Sequence, residues 1–159
     1  MEIRIARGFS LIELMVTVAI IAILATMVLP LTEVAAQRSR EVELRAALRE
    51  IRGAIDTYKQ ATDEGRIPKA ADASGYPPNL EVLVDGVVDP KSVDKRRMYF
   101  LRRLPRDPMA TDNSVPASQT WGKRSYKSPP DDPREGDDVF DVYSLSTGVG
   151  LNGVPYREW

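Results

Sequence analysis

The sequence predicts an α+β fold: one long N-terminal helix packed on a small antiparallel sheet. Three observations carry this. Leu14 to Thr32 is a run of 19 residues without a charge. Leu44, Leu48, Ile51, Ile55 and Tyr58 then recur at steps of 4, 3, 4 and 3, one stripe on a helix. After that the composition changes: 11 of the 12 prolines lie beyond residue 62. There, short apolar runs alternate with turn formers, as in a small sheet joined by loops.

The elements follow in order. Residues 1–8 form a short basic leader with Arg4 and Arg7. Residues 9–32 form the apolar half of the helix and residues 33–62 its amphipathic half. Arg45, Arg49, Glu50, Arg52, Asp56 and Lys59 occupy the faces away from the stripe. Gly65 and Pro68 end the helix. From Phe9 to Thr62 it spans 54 residues, or about 80 Å at 1.5 Å per residue. Pro30 sits inside it and favours a kink or local melting, because proline removes a helical hydrogen bond. The apolar stripe needs a cover, and a sheet is the expected one.

Residues 63–159 supply that cover. Gly75–Pro78 and Ser128–Pro133 read as loops. Asn79 to Val84 reads as a short helix capped by Asn79. Val139 to Leu145 is the best strand, and Lys123 to Lys127, around Tyr126, is its expected partner. About three strands are expected in all.

Composition removes several classes of function. The 159 residues carry 22 basic and 23 acidic side chains, a formal net charge of −1. A globally basic nucleic-acid binder is disfavoured. There is no cysteine, so disulfide scaffolds, cysteine nucleophiles and thiolate metal sites are excluded. There is no histidine, so imidazole-based triads and metal ligands are excluded as well. No pair of carboxylates has a spacing that argues for general acid–base work, and no catalytic residue is predicted.

The uncharged run is near the roughly 20 residues that cross a bilayer as a helix. Arg4 and Arg7 before it favour a cytoplasmic N-terminus. Beside a plain membrane span, two readings of this segment remain. A cleaved secretory signal would use Val34-Ala35-Ala36 as its small-residue site. Against it, the run is longer than a usual signal core and helical character continues through that site. An uncleaved signal anchor fits both facts and ranks first of these. Glu13 fits neither, because a carboxylate at the start of an apolar run either sits at headgroup level or has a partner.

Gly8-Phe9-Ser10-Leu11-Ile12-Glu13-Leu14 resembles the class III signal of the type IV pilin family. The resemblance implies cleavage between Gly8 and Phe9 by a prepilin peptidase and N-methylation of Phe9. It implies that Glu13 meets the terminal amine of a neighbouring subunit and so sets register during assembly. Phe9 and Glu13 are four residues apart, about 6 Å along a helix, and a buried carboxylate and ammonium need each other. Pro30 matches a proline common in these helices. The fold implied is pilin-like.

The second half narrows the resemblance. Tyr99 to Pro108, Trp121-Gly122 with Tyr126, Asp141 to Leu145, and Trp159 are similar to the major pseudopilin of type II secretion systems. One departure is that Met109 follows Asp107-Pro108 where tryptophan is usual, and residues 109–120 intervene before Trp121. The implied role is a structural subunit that bundles its helices into a pseudopilus and drives protein export. The alternative is a minor pilin or a DNA-uptake pilin of a type IV pilus system. Implied partners are further copies of the chain, prepilin peptidase, minor pseudopilins and the inner-membrane assembly platform. The implied location is the bacterial inner membrane, single-pass, with the globular part periplasmic, and the pseudopilus after assembly. Nucleic acid is not an expected partner.

The family usually carries calcium in its last loop. Here that loop is Ser146 to Pro155 and has no aspartate. Ser146, Asn152 and backbone carbonyls make a poor calcium site. No cofactor is expected, and Tyr156 and Trp159 are expected to hold the loop by packing back on the domain. Gly148-Val-Gly-Leu-Asn-Gly153 spells a dinucleotide fingerprint, but Val154-Pro155 follows in place of a helix, so it reads as a turn. The basic cluster Lys95, Arg96, Arg97, Arg102, Arg103 and Arg106 reads as a solvated loop or a subunit contact ahead of a DNA patch. Asp131-Asp132 and Asp137-Asp138 read as solvated turns.

Overall fold

A computed structural model describes residues 9–159, and within its first helix the side chains of residues 26–31 lie outside the description. The chain divides into two compact units, Met1–Ser39 and Arg40–Trp159. Helix α1, Leu11–Asp63, contributes to both.

In the first unit α1 starts just after Ser10. The Ser10 hydroxyl oxygen accepts the Glu13 backbone N–H at 3.3 Å, which satisfies one of the orphan donors of the first turn. Glu13 is the acidic residue of that turn, where the helix dipole favours a negative charge. Every side chain from Phe9 to Ala25 is exposed. Among the described residues no helix is long and apolar enough to cross a membrane. Residues 26–31 of the uncharged run lie outside that statement.

In the second unit the stripe does what its spacing predicts. Leu44, Leu48, Ile51, Ile55 and Tyr58 are all buried. They share one core with Leu80, Leu83, Leu101, Trp121, Val139, Val142 and Tyr156. Helix α2, Glu81–Asp85, supplies Leu83, and the Asn79 side chain accepts the Val82 N–H at 3.0 Å. Strands β1, Val87–Val88, and β2, Arg97–Met98, pair antiparallel. Strands β3, Trp121–Arg124, and β4, Asp141–Ser144, form a second antiparallel ladder, with Trp121 opposite Ser144 and Arg124 opposite Asp141. Gly122 stands opposite Tyr143, and a side chain there would run into the tyrosine ring.

Two expectations are corrected. The sheet is two separate two-stranded ladders and not one of three strands. The β1–β2 ladder has two residues per strand, too few to show an alternating pattern. The partner of β4 is Trp121–Arg124 and not Lys123–Lys127. The chain turns away at Ser125, whose N–H bonds the Arg134 carbonyl at 2.9 Å. Tyr126 instead stacks on Tyr76, with ring centres 5.6 Å apart.

Because Ile51 is fully buried at the centre of the stripe, Ile51→Ala should cost about 2–5 kcal/mol of stability. The check is urea unfolding: the midpoint falls while the slope holds. The control Arg49→Ala, on the exposed face of the same helix, should stay within about 0.5 kcal/mol.

Candidate functional site

The candidate assembly residues lie along one element. Gly8 lies outside the described residues. Phe9 lies two residues before the start of α1 and is 79% exposed. Glu13 is in the first turn, exposed, and its carboxylate has no partner among the described residues. Pro30 lies within α1, and its side chain is outside the description. Leu11, Ile12, Leu14, Met15, Val16, Val18, Ile20, Ile21, Ile23 and Leu24 all stand more than half exposed. This segment has the chemistry of a packing surface: a bare apolar helix with a single carboxylate at its start. The Ser10–Glu13 spacing is also that of a capping box, a local signal that overlaps the processing motif.

The loop from Ser146 to Pro155 folds back on itself. The Gly150 N–H bonds the Val154 carbonyl at 2.9 Å, and Val149 bridges to Pro155. The dinucleotide-like glycines therefore form a turn. Ser146 Oγ accepts the Gly148 N–H, and Asn152 Oδ1 accepts the Val154 N–H. Tyr156 is buried, and Trp159 packs edge-on against it at 5.1 Å.

The basic cluster is partly committed to the chain itself. Arg97 donates to the Asp85 carbonyl at 2.9 Å, and Arg96 pairs with Asp94 at 3.1 Å. Arg106 donates to the carbonyls of Asp112 and Val115 and so ties down the inserted 109–120 segment. Lys95, Arg102 and Arg103 are exposed. Phe100 packs on Tyr58 with ring centres 5.3 Å apart, while Tyr99 faces solvent.

Asp138 corrects the reading of a solvated turn. It is buried and accepts bonds from the hydroxyls of Ser74 and Ser125 and from the Tyr126 N–H. Burial by itself pushes its carboxyl up, but those three donors outweigh burial and hold it below the usual carboxylate value. It ties the loop before α2 to the turn after β3. Its partners are distant in sequence, so only the fold reveals the site.

Residues 3–29 match the family model of the prokaryotic N-terminal methylation motif. The chain is 31% identical over 151 residues to the type II secretion system core protein G of Pseudomonas aeruginosa, covering 91% of this chain and 86% of that protein. The chain belongs to the type II secretion system core protein G family. It is thus a type II pseudopilin of the type IV pilin-like class. Core protein G of Klebsiella pneumoniae is 29% identical over 153 residues, covering 94% of this chain and 87% of the relative. That of Vibrio cholerae is 30% identical over 114 residues, covering 70% of each. No solved structure matches the chain.

Asp138 gives this family member a pH signature. Its folded-state value is lowered, so its contribution to stability is complete above the unfolded value of about 3.9 and is lost as the pH falls below it. Asp138→Asn should be less stable than wild type in urea at neutral pH. The gap should narrow as the pH falls from about 5 toward 2. A gap of constant size across that window would contradict the assignment.

Proposed function

We propose that the chain is a structural subunit of the type II secretion pseudopilus, made as a precursor and assembled by helix bundling. Residues 1–8 are a leader that prepilin peptidase removes between Gly8 and Phe9, after which Phe9 is N-methylated. Residues 9–32 anchor the precursor in the bacterial inner membrane with the N-terminus cytoplasmic. Residues 33–62 continue the helix into the periplasmic part, residues 63–159. The chain is a substrate of an enzyme and not itself one. Its partners are further copies, the minor pseudopilins and the inner-membrane assembly platform.

The observation that carries this reading is the methylation-motif match over residues 3–29, which runs directly into α1 with every side chain from Phe9 to Ala25 bare. A bare apolar helix is stable in lipid or against other helices, and the same surface serves both states in turn. Glu13 is the exception on that surface. A carboxylate moved into an apolar bundle is expensive unless a cation meets it. The new amine of Phe9 on a neighbouring copy supplies that cation and makes register a matter of charge pairing. Pro30 loosens the helix where the apolar half ends.

A DNA-uptake role is not favoured. Arg97 and Arg106 spend donors on the chain's own carbonyls, and Arg96 on Asp94. Asp94 and Asp107 dilute the positive patch, and the whole chain carries a net charge of −1.

Glu13→Ala should insert into the membrane and lose its leader normally, yet fail to form filaments when secretion components are overproduced. The checks are membrane fractionation, the size of the processed band and filaments counted by electron microscopy. Filaments at the wild-type level would remove the register role from Glu13.

A further inference from the structure

We infer that residues 146–159 of this chain are held on α1 by a metal-free clasp, built where the family resemblance implies a calcium loop. The donor set does not suit calcium, which takes six to eight oxygens, carboxylates among them. Residues 146–155 contain no carboxylate. The side-chain oxygens of Ser146 and Asn152 are already acceptors within the turn. Asp107 is the acid bonded to the start of this segment through Ser144. Its Oδ1 takes the Met109 N–H at 2.8 Å and its Oδ2 the Ser144 hydroxyl at 2.6 Å. Among the described residues no group of three or more acidic, histidine or cysteine side chains is arranged to hold a metal ion.

Side chains of α1 take the loop instead. Glu41 is only 4% exposed, and its Oε1 accepts the Leu151 N–H at 2.7 Å and the Tyr156 hydroxyl at 3.0 Å. Those donors offset the desolvation that a buried carboxylate otherwise suffers. Arg52 donates from Nε to Asp141 at 2.8 Å and from Nη2 to the main-chain oxygens of Val142 and Trp159 at 3.0 and 2.8 Å. One guanidinium thus joins β4 to Trp159. The Arg45 guanidinium lies 4.3 Å over the Trp159 ring. The indole N–H in turn bonds the Val154 carbonyl at 3.2 Å. Residues 41, 45 and 52 are spaced by four and seven, so one face of α1 carries the whole grip. Gly150 is part of the fit, because a side chain there would strike the Trp159 ring.

In the calcium-bound alternative an ion gathers oxygens from within one loop. Here an anion and two cations on the helix gather donors, acceptors and a ring from the loop. The two solutions respond differently to chelation. The full chain is extracted from membranes in detergent and melted in excess calcium chloride or in EGTA. The clasp predicts midpoints within about 1 °C of each other. A bound ion at a hundredfold excess over its dissociation constant raises the midpoint by at least about 5 °C. Any calcium-dependent rise above 1 °C overturns the metal-free assignment. The second arm is trypsin cleavage after exposed Arg157, read by mass spectrometry as a fragment that ends at Arg157. Cleavage needs the segment to open locally. Glu41→Gln and Arg52→Lys should each speed it by about fivefold or more, equally in calcium and EGTA. Arg52→Lys keeps the charge and loses the fork, so it reads the clasp should Glu41→Gln fold poorly. Cleavage at the wild-type rate in Arg52→Lys would overturn the clasp.

Discussion

An uncovered apolar stripe on α1 is the constraint from which the second unit follows. Leu44, Leu48, Ile51, Ile55 and Tyr58 lie on one side of a helix that has nothing else to shield them. A helix with one apolar face is stable only when that face is covered. The remaining residues are too rich in proline and glycine for long elements. The cover is therefore assembled from small pieces: Leu83 of α2, Trp121 of β3, Val142 of β4, and Leu101 and Tyr156 from irregular segments. Trp121 shows how such a piece is fixed. It is fully buried, and its indole N–H reaches the Pro105 carbonyl at 2.9 Å. A ring of that size ties the segment that holds Pro105 to β3.

Pieces this short need polar ties, and α1 supplies several of them. Arg52 and Glu41 reach more than 80 residues along the chain to β4 and the 146–159 segment. Asp138 and Asp107 play the same part away from the helix: Asp138 joins two loops, and Asp107 joins its own loop to β4, each through hydroxyl and amide donors. In the first unit the same helix carries an apolar surface with no cover among the described residues. The proposed function gives that surface a use, in lipid and then against the helices of other copies. One continuous helix thus carries a stripe that the chain itself covers and an apolar surface that is bare among the described residues.

The sequence made the helix readable because periodicity over many turns is a strong signal. Its expected span, Phe9 to Thr62, differs from Leu11–Asp63 by two residues at the start and one at the end. The Asn79 cap, the β4 strand and the return of Tyr156 and Trp159 were readable from local chemistry. What stayed hidden was non-local. The strands β1 and β2 are two residues each, and their pairing depends on Gly86 and the turn between them more than on any pattern. Arg52 looked like one more charge on the solvent face, because its three acceptors arrive from positions 141 to 159. Asp138 sat in an acidic, proline-rich stretch that resembled open loop. The motif that contains Gly8, Phe9 and Glu13 is contiguous and local, so the family match over residues 3–29 needs no tertiary structure to be read.

The central claim is that this chain enters the pilin pathway, and the N-terminus of the mature protein tests it most directly. The measurement is the mass of the N-terminal peptide from protein isolated from membranes of the native host. The account predicts a chain that begins at Phe9 and carries one methyl group on its amine. A chain that begins after Ala36, or one that retains Met1, would contradict it.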